Sequence, residues 1–332
     1  MADAATRGHF VWHELMTTDT KAAVAFFTKI VGWKPQTWPH DPSYTILAMG
    51  QPMAGVMPLP AGMKAMGGRP AWASYISTPS CDDTARQAAT LGGKILMQPS
   101  DIPTIGRFAV IEDPQGAVFN AFTPLSQPTP QGATGAPAIG DFSWHELATT
   151  DWRAALAFYK SLFGWEETSA MDMGPDLGTY QMFGMGGKVF GGIFNKPKQM
   201  PGPSNWLPYI RVPDAKKTAV ALKGAGGQVI NGPMEVPGGD WIVQAVDPQG
   251  AMFAVHSLKP AATAKKPAAA AAAKAVQAVK KTAKKAVKAV KRVAKRAVKK
   301  VTPKKKSSKK KAAKKKAGKK KAAKRKPRSR RR

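Results

Sequence analysis

The sequence predicts an α+β fold made of two tandem copies of one domain, followed by a basic tail. The first observation is a long repeat: FVWHELMTTDTKAAVAFFTKIVGW begins at Phe10, and FSWHELATTDWRAALAFYKSLFGW begins at Phe142. The second observation is that strand-like and helix-like segments follow one another in the same order in both copies. The third is a change of composition near residue 259, after which lysine and alanine dominate.

Further pairs of matching segments show that whole domains are duplicated. PAWASYI at Pro70 matches SNWLPYI, LGGKIL at Leu91 matches AGGQVI, and EDPQGAVFNAF at Glu112 matches VDPQGAMFAVH, each 134 residues later. The opening pair is 132 residues apart, so the copies are collinear with a net insertion of two residues in the second. A period of this length is that of a domain rather than of a solenoid repeat.

The repeat and the shifts in composition divide the chain into five segments. The stretch PLSQPTPQGATGAPAIG, rich in proline, glycine, serine and threonine, indicates a linker between the copies. The predicted segments are an N-terminal extension at residues 1–7, a first domain at 8–124, the linker at 125–139, a second domain at 140–258 and a basic tail at 259–332.

The first half of each copy predicts a strand, a helix and two or three further strands. Apolar and polar residues alternate from Phe10 to Met16, as in a half-buried strand. Thr18 or Asp19 is expected to cap the next helix by accepting its first amide hydrogens, and Gly32 to end it. Apolar residues at helical spacing indicate the helix itself: Ala22, Ala23, Phe26, Phe27 and Ile30. YTILAM and AGVMPL then have the composition of strands.

The second half of each copy repeats this order. It contains WASYIS, a helix expected from about Asp82 to Leu91, and the strand-like segments KILM, RFAVI and AVFNAF. The last two are joined by DPQG, where Pro114 presets a turn and Gly116 closes it. Each copy is therefore predicted to consist of two β-α-β-β-β modules.

The charge of the chain lies almost entirely in the tail. Of the 52 lysines and arginines, 34 lie at or after Lys259, where no aspartate or glutamate occurs. The preceding residues therefore carry 18 basic groups against 20 acidic groups, a formal net charge of −2. The formal net charge of +32 for the whole chain thus describes the tail and not the two domains.

The sequence also favours a cytoplasmic location. A single cysteine, Cys81, excludes an internal disulfide framework and fits a reducing compartment. MADAATRG lacks the charged and apolar regions of a signal peptide, and no apolar run reaches the roughly 18 residues that a membrane span requires. We expect a cytoplasmic protein without a membrane span.

These motifs resemble the vicinal oxygen chelate superfamily, which includes glyoxalase I, extradiol dioxygenases and bleomycin-resistance proteins. The resemblance rests on the opening strand, TTD, the AxAFF or ALAFY helix ending in GW, the mid-domain GG and the closing DPQG strand. WHELxTTD followed by DPQGAxF is similar to the tandem glyoxalase-like proteins of actinobacteria. The resemblance implies one cup-shaped sheet per domain, with a divalent metal held by His, Glu or Gln at four strand positions.

Transferred to this sequence, those four positions lack metal ligands. In the two copies they fall on Trp12, Met57, Trp72, Asn120, Trp144, Phe194, Trp206 and Ala254. Because divalent metals in such sites need imidazole or carboxylate donors, no metal cofactor is expected. A divalent metal stays open as an alternative through His13 and His145, which a one-residue shift of the strand would bring into the cups.

The candidate catalytic residues are two glutamates and one histidine. Glu14 and Glu146 lie two residues after Trp12 and Trp144, so each shares a face with its tryptophan. A carboxylate in an apolar cup can act as a general base or hold a cationic ligand. The alternative is a glutamate paired with a nearby Lys, Arg or backbone amide at the rim. His256 is a candidate partner of Glu146 in the second copy, where the first has phenylalanine.

The candidate ligand-binding residues are four tryptophans and one asparagine. Trp12 with Trp72, and Trp144 with Trp206, are predicted to form an aromatic floor that stacks a planar or cationic ligand. The alternative is that they fill the core of the domain. Asn120 is a candidate for orienting a ligand, or else a buried amide with its own hydrogen bonds.

The tail is predicted to be disordered, or helical once its charge is neutralised. A weak apolar stripe alternates steps of three and four along Val276, Val279, Ala283, Ala286, Val290, Val293 and Ala297. The composition resembles the tails of linker histones and of bacterial histone-like proteins, and Thr302-Pro303-Lys304-Lys305 is similar to their S/T-P-K-K units.

Such a polycation is expected to bind nucleic acid without sequence preference, because it releases counterions condensed on the phosphates. An anionic membrane or polyphosphate is the alternative partner. The residues expected to bind include Lys304, Lys305, Lys306, Lys309, Lys310, Arg330, Arg331 and Arg332. The corresponding location is the nucleoid.

Three functions remain open at this stage. The first is metal-free binding of a small molecule in the cups, with the tail as a tether to nucleic acid. The second is an enzyme of glyoxalase, lyase or dioxygenase type, with Glu14 or Glu146 as its base. The third is an architectural nucleoid protein whose globular half is inert. Assembly of modules across chains, as in this superfamily, makes an oligomer a further option.

Overall fold

The computed structural model describes residues 7–65, 67–126, 137–175, 177–200 and 202–259. The first domain contains β1 (Phe10–Thr17), α1 (Thr20–Val31), β2 (Lys34–Trp38), β3 (Asp41–Met49), β4 (Gln51–Pro58), α2 (Ala61–Ala65), β5 (Ala71–Ser77), α3 (Cys81–Thr90), β6 (Lys94–Ile102), β7 (Gly106–Glu112) and β8 (Val118–Pro124).

The second domain repeats this order apart from the short helix α2. Its elements are β9 (Phe142–Thr149), α4 (Trp152–Phe163), β10 (Glu166–Asp172), β11 (Thr179–Met185), β12 (Lys188–Asn195), β13 (Asn205–Arg211), α5 (Ala215–Gly224), β14 (Gln228–Glu235), β15 (Trp241–Val246) and β16 (Met252–Ser257).

Each domain forms one eight-stranded mixed sheet. The strand order is β2-β3-β4-β1-β5-β8-β7-β6 in the first and β10-β11-β12-β9-β13-β16-β15-β14 in the second. The two modules of the first domain meet where β1 pairs antiparallel with β5, and β1 also pairs parallel with β4. This arrangement confirms the predicted α+β fold of paired β-α-β-β-β modules.

The first helix of each domain begins and ends as its sequence requires. The Asp19 side chain accepts the Ala22 amide hydrogen at 3.0 Å, which confirms an aspartate cap for α1. Gly32 ends α1 in the left-handed region with φ of 92°. Asp151 and Gly164 take the same roles at the two ends of α4.

The convex faces of the sheets and the helices pack into two hydrophobic cores, and each core contains residues of both domains. In the first, α1 lies against α5, and the ring centroids of Phe26 and Phe253 are 5.9 Å apart. In the second, α3 lies near α4, and Phe119 contacts Tyr159 at 5.3 Å. Because each large buried side chain contributes about 1.5–3 kcal/mol, the two domains stabilise one another.

Cys81 is a packed residue at the start of α3. Its thiol is buried, and Sγ lies 3.6 Å from the Ala121 carbonyl oxygen. Burial raises the pKa of the Cys81 thiol to about 12, so the thiolate needed for a nucleophile is not populated near neutral pH. Within the described ranges, no helix combines the length and apolar character needed to cross a bilayer.

Candidate functional site

The strand register decides which side chains face the concave side of each sheet. In the first domain Trp12 lies opposite Tyr75, and Glu14 lies opposite Ala73, so all four residues share one face. In the second domain Trp144 lies opposite Tyr209, and Glu146 lies opposite Leu207. We call these concave faces cup 1 and cup 2.

Cup 1 holds a buried carboxyl group between two tyrosines. The Tyr75 hydroxyl donates to Glu14 Oε1 at 3.2 Å, and Tyr44 makes a second hydrogen bond to Glu14. Trp12 Nε1 donates to the Tyr44 hydroxyl at 2.9 Å. Burial raises the pKa of Glu14 above its ordinary value, although the two tyrosine hydrogen bonds oppose this shift. Glu14 is therefore neither an exposed rim residue nor a partner of a lysine or arginine.

Cup 2 repeats this arrangement and extends it. The Tyr180 hydroxyl donates to Glu146 Oε2 at 3.1 Å, and Gln244 Nε2 donates to Glu146 Oε1 at 2.9 Å. Trp144 Nε1 donates to the Tyr180 hydroxyl at 2.8 Å. Gln244 Nε2 also donates to the Tyr209 hydroxyl at 2.7 Å, and Tyr209 is itself hydrogen-bonded to Glu146.

Three side chains of cup 2, Tyr180, Tyr209 and Gln244, donate to one acceptor, Glu146. Since the Tyr180 and Tyr209 hydroxyls accept from Trp144 and Gln244, their own hydrogens are directed to Glu146. Burial raises the pKa of Glu146 to about 7, while the bonds from Tyr180, Tyr209 and Gln244 limit the rise. Glu146 is thus a desolvated carboxyl group that titrates near neutral pH, surrounded by groups that favour its ionised form.

Two glycines make room for the tyrosines. A Cβ on Gly55 of β4 would overlap the Tyr44 hydroxyl, and a Cβ on Gly192 of β12 would overlap the Tyr180 ring. Gly55 and Gly192 lie directly beside Glu14 and Glu146 in the parallel ladders. The glycine is therefore what allows each tyrosine to cross the neighbouring strand and reach the carboxyl group.

Cup 2 is the more accessible of the two. Trp12 and Trp144 are both partly exposed, but Ser143 and Glu146 of cup 2 are partly exposed as well, whereas the matching Val11 and Glu14 of cup 1 are buried. The other residues that line cup 2 are mainly apolar and comprise Met171, Met173, Met182, Phe194, Leu207 and Ile242. Cup 1 is lined by Val11, Ile102, Phe108 and Phe122.

The prediction that Trp72 and Trp206 line the cups is wrong. Trp72 lies opposite Leu15, and Trp206 lies opposite Leu147, on the convex face of each sheet. Both are only 7% exposed and belong to the interdomain cores, where Trp206 Nε1 donates to the Tyr159 hydroxyl at 3.0 Å. The cup-facing aromatic residue of each strand is the tyrosine three positions further on, because side chains alternate between faces.

The two candidate metal histidines also lie on the convex face. His13 and His145 meet where the domains join, and their Nε2 atoms are 2.9 Å apart. The strand shift that would bring them into the cups does not occur, since their neighbours Glu14 and Glu146 occupy those positions.

His256 does not pair with Glu146. Its Nδ1 lies 2.9 Å from Ser143 Oγ, and its Nε2 lies 3.0 Å from Asp240 Oδ2, so both ring nitrogens already have partners. Asn120 lies beside Tyr75 in the β5–β8 ladder and makes a hydrogen bond to the Tyr75 hydroxyl. Asn120 is thus a buried cup residue whose side chain is hydrogen-bonded to Tyr75.

The four tyrosines and Gln244 were not among the residues predicted from the sequence. Tyr75 and Tyr209 occupy the same position in the matched segments PAWASYI and SNWLPYI, so this tyrosine occurs in both copies. The repetition of this tyrosine in both copies was the signal available in the sequence. Gln244 had none, because the matching residue of the first copy is Val110.

Comparison of the chain with known protein families identifies the class to which it belongs. Residues 7–120 and 141–255 match the family described as the Glyoxalase/Bleomycin resistance protein/Dioxygenase superfamily. The chain therefore belongs to this superfamily and carries one copy of its domain in each half.

Individual relatives match most of this chain and most of their own length. "Putative glyoxylase CFP32" of Mycobacterium tuberculosis is 34% identical over 255 residues, which cover 75% of this chain and 94% of that protein. Anthracycline biosynthesis protein DauV of Streptomyces sp. is 30% identical over 277 residues, with coverage of 75% and 93%. The Mn(II)-bound glyoxalase from Novosphingobium aromaticivorans superposes with a TM-score of 0.52 at 14% identity, over 80% of this chain and 89% of that one. At this identity the likeness shows the fold alone.

The residues of the two cups do not fit the divalent metal of such glyoxalases. At its centre each cup offers a single carboxylate, Glu14 or Glu146, whose oxygens already accept hydrogen bonds from tyrosine and, in cup 2, glutamine side chains. At the edge of cup 2, both ring nitrogens of His256 are already bonded, to Ser143 and to Asp240. Across the ranges that the structure covers, no three His, Cys, Asp or Glu side chains are grouped as a metal site would need. A lone carboxylate among tyrosines, methionines and tryptophan, with His256 and Asp240 bonded to one another at the edge of cup 2, is not a donor set for a divalent ion.

The predicted nucleic-acid-binding residues fall outside the described residues. Lys304, Lys305, Lys306, Lys309, Lys310, Arg330, Arg331 and Arg332 all lie beyond residue 259.

Proposed function

We propose that this protein binds a small organic molecule in its cups without a divalent metal, with cup 2 as the main site. The observation that carries the proposal is the convergence of hydrogen-bond donors on Glu146 within an apolar, partly exposed cup. Such a cup provides one strong acceptor and a large apolar contact surface, which is the usual composition of a ligand pocket.

The chemistry of cup 2 favours a flat ligand with a hydrogen-bond donor. Trp144, Tyr180 and Phe194 offer aromatic surface, and the methionines of the lining adapt to irregular shapes. A phenolic hydroxyl or an ammonium group would donate to Glu146, whereas a ligand carboxylate would be repelled once Glu146 is ionised. DauV is named for anthracycline biosynthesis, and anthracyclines carry planar rings with phenolic hydroxyls. That name supports a polycyclic phenol as the ligand class.

A catalytic role for the same residue is the second candidate. Because the pKa of Glu146 is raised to about 7, a large fraction of its carboxyl group is ionised near neutral pH and can still take up a proton. A general base of this kind would suit removal of a proton from a phenol or from a carbon next to a carbonyl group. The relative named as a glyoxylase adds support for an enzyme.

The test is direct binding of a named probe. We expect 1,8-dihydroxyanthraquinone to bind the purified protein and to quench tryptophan fluorescence. The variant Glu146→Gln retains the size of the side chain but replaces an acceptor oxygen with a donor, so binding should weaken at least tenfold, about 1.4 kcal/mol. Glu235→Gln, on the exposed face of β14, is the matched control and should bind like the wild type. Equal affinity for the wild type and Glu146→Gln would contradict the proposal.

We further propose that the tail tethers the two domains to nucleic acid. The support is compositional: 34 basic residues, no acidic residue and no aromatic residue after Leu258, against a net charge of −2 before it. This favours contact with phosphates over stacking on bases. A chain ending at Leu258 should lose duplex DNA binding in a gel-shift assay at low salt. Binding that persists in the shortened chain, or that is insensitive to salt in the full chain, would contradict this role.

A further inference from the structure

Cup 2 contains a second polar cluster, which is separate from the hydrogen bonds to Glu146. Ser143 Oγ lies 2.9 Å from His256 Nδ1, and His256 Nε2 lies 3.0 Å from Asp240 Oδ2. All three residues are partly exposed, and the side chains of His256 and Asp240 are 16% and 32% accessible. Serine, histidine and carboxylate are thus connected in series at the edge of a ligand cup.

A β-bulge turns Ser143 toward the cup. In the β9–β13 ladder Trp144 pairs with Tyr209 and Phe142 pairs with Ile210, so Ser143 is the extra residue. A bulge of this kind redirects the side chain of the extra residue, and bulges are frequent beside active sites. Val11 occupies the matching bulge of the first domain and packs with Tyr75 and Phe122 in cup 1. The same geometry therefore presents Ser143 to cup 2.

The hydrogen bonds set the tautomer of His256. A carboxylate only accepts, so Asp240 fixes the ring hydrogen on Nε2 and leaves the Nδ1 lone pair facing the Ser143 hydroxyl. The other oxygen of Asp240 accepts the backbone amide of Lys259 at 2.9 Å, which holds the carboxylate in place. The Tyr209 carbonyl is a second acceptor for Ser143, at a longer 3.3 Å. His256 is therefore in the tautomer whose Nδ1 can accept a proton from Ser143.

The duplication shows that the fold does not need this cluster. At the positions matching Ser143, His256 and Asp240, the first domain carries Val11, Phe122 and Gly106, and its sheet has the same strand order. Three side chains that together form a hydrogen-bonded series therefore occur only in the second copy. Packing alone does not account for them, since the first copy packs without them.

We propose that Ser143 is a nucleophile activated by His256 and Asp240, and that cup 2 reacts with ester or similarly activated acyl groups. Ser143 Oγ attacks the carbonyl carbon while its proton passes to His256 Nδ1. The bond to the leaving alcohol breaks, and the alcohol departs with that proton. Water then attacks the acyl group on Ser143, gives a proton to His256, and releases the acid as the proton returns to Ser143 Oγ. The net reaction is ester plus water to acid plus alcohol.

The experiment is covalent labelling of the full chain with a fluorophosphonate, read by intact mass and peptide mapping. Ser143 Oγ forms a bond to phosphorus and fluoride leaves, so the expected product is one adduct per chain, located on Ser143. Two variants copy the residues of the first domain and so respect the packing of the fold: Ser143→Val and His256→Phe. The first should abolish the adduct, and the second should slow labelling at least about hundredfold.

Ser161→Ala, on the exposed face of α4, is the control and should be labelled at the wild-type rate. The inference is overturned if no adduct maps to Ser143, or if His256→Phe is labelled as fast as the wild type. The labelling requires no ligand in the cup. A failure of this inference is therefore distinguishable from a failure of the Glu146 ligand site, which the anthraquinone titration reports.

Discussion

His13 and His145, from equivalent strands of the two domains, share a hydrogen bond with 2.9 Å between their Nε2 atoms. His145 Nδ1 donates to the Phe190 carbonyl at 3.2 Å, so its Nε2 is unprotonated and accepts the hydrogen of His13 Nε2. The pair is stacked between aromatic rings, with Phe10 at 3.6 Å from His145 and Phe142 at 3.6 Å from His13. The centre of the interdomain contact is thus a neutral pair that holds one bridging proton.

This pair makes the domain interface sensitive to acid. Burial lowers the pKa of His145 to about 3, and burial together with the neighbouring His145 lowers the pKa of His13 well below its ordinary value. In the unfolded chain both histidines take up protons near pH 6.5. Between pH 6.5 and about 3 the unfolded state therefore binds more protons at His145, which reduces the free energy of unfolding by up to about 1.4 kcal/mol per pH unit as the pH falls. His13 acts in the same direction below pH 6.5.

The variant His145→Gln tests this dependence. Glutamine does not titrate, so the wild type should lose more stability than the variant as the pH falls. We therefore expect the difference in their unfolding free energies, measured by urea denaturation, to shrink from pH 7 to pH 4. Curves that stay parallel over that range would contradict the assignment of a neutral buried pair.

Glu146 should produce the opposite dependence on pH. Its pKa is raised to about 7 from an ordinary value near 4.5, so the folded state holds the proton more tightly. The contribution of Glu146 to the free energy of unfolding is therefore fully present below pH 4.5 and is lost as the pH rises through 7. We predict that Glu146→Gln gains stability relative to the wild type between pH 5.5 and 8.5, by roughly 1–3 kcal/mol over that interval. Urea denaturation of both proteins at pH 5.5 and pH 8.5 measures this gain. If the difference in unfolding free energy is the same at both pH values, Glu146 has an ordinary pKa and the prediction is contradicted.

Replacing Trp206 and Trp144 should separate packing from binding. Trp206 lies in an interdomain core, so Trp206→Ala should lower the free energy of unfolding by about 3–5 kcal/mol. Trp144 is partly exposed in cup 2, and Trp144→Ala should cost roughly 1–2 kcal/mol while weakening anthraquinone binding. Denaturation and fluorescence titration measure the two effects. Similar losses of stability in both variants would contradict the assignment of opposite faces.

The glycine beside Glu146 should control the position of Tyr180. In Gly192→Ala the new methyl group overlaps the Tyr180 ring, which must move away from Glu146. We expect a loss of about 1–3 kcal/mol in stability and weaker probe binding. Gly224→Ala is the control, since a Cβ there meets no atom within 4 Å, so probe binding should stay unchanged and stability should not fall. A Gly192→Ala variant that behaves like Gly224→Ala would show that Tyr180 does not depend on this approach.

The fold was predictable because its signals are local and occur twice. The Asp19 cap, Gly32 and the two DPQG turns fix where helices and strands end, and the collinear repeat fixes the order of the modules. The faces of β5 and β13 were not predictable in the same way. Both strands are covered on both sides, so the residues around Trp72 and Trp206 show no alternation of polar and apolar side chains.

The carboxyl groups of the cups were predictable, but their partners were not. Glu14 and Glu146 follow their tryptophans by two residues, which places them on one face of a strand. The hydrogen bonds from Tyr44 and Tyr180 depend on a close approach across a neighbouring glycine, and the bond from Gln244 comes from a strand 98 residues away. Contacts between residues so far apart in the sequence depend on the strand order and register of the whole sheet. No local pattern in the sequence indicates them.

We propose that the cups work without a divalent metal, and metal analysis of the full chain tests this proposal most directly. The protein would be purified without chelator or nickel, incubated separately with Mn(II), Fe(II), Zn(II) and Ni(II), and desalted before elemental analysis. We predict far less than one transition-metal ion per chain, together with probe binding that is unchanged by added metal. One ion per domain, lost in Glu14→Gln and Glu146→Gln, would contradict this account and identify the cups as metal sites.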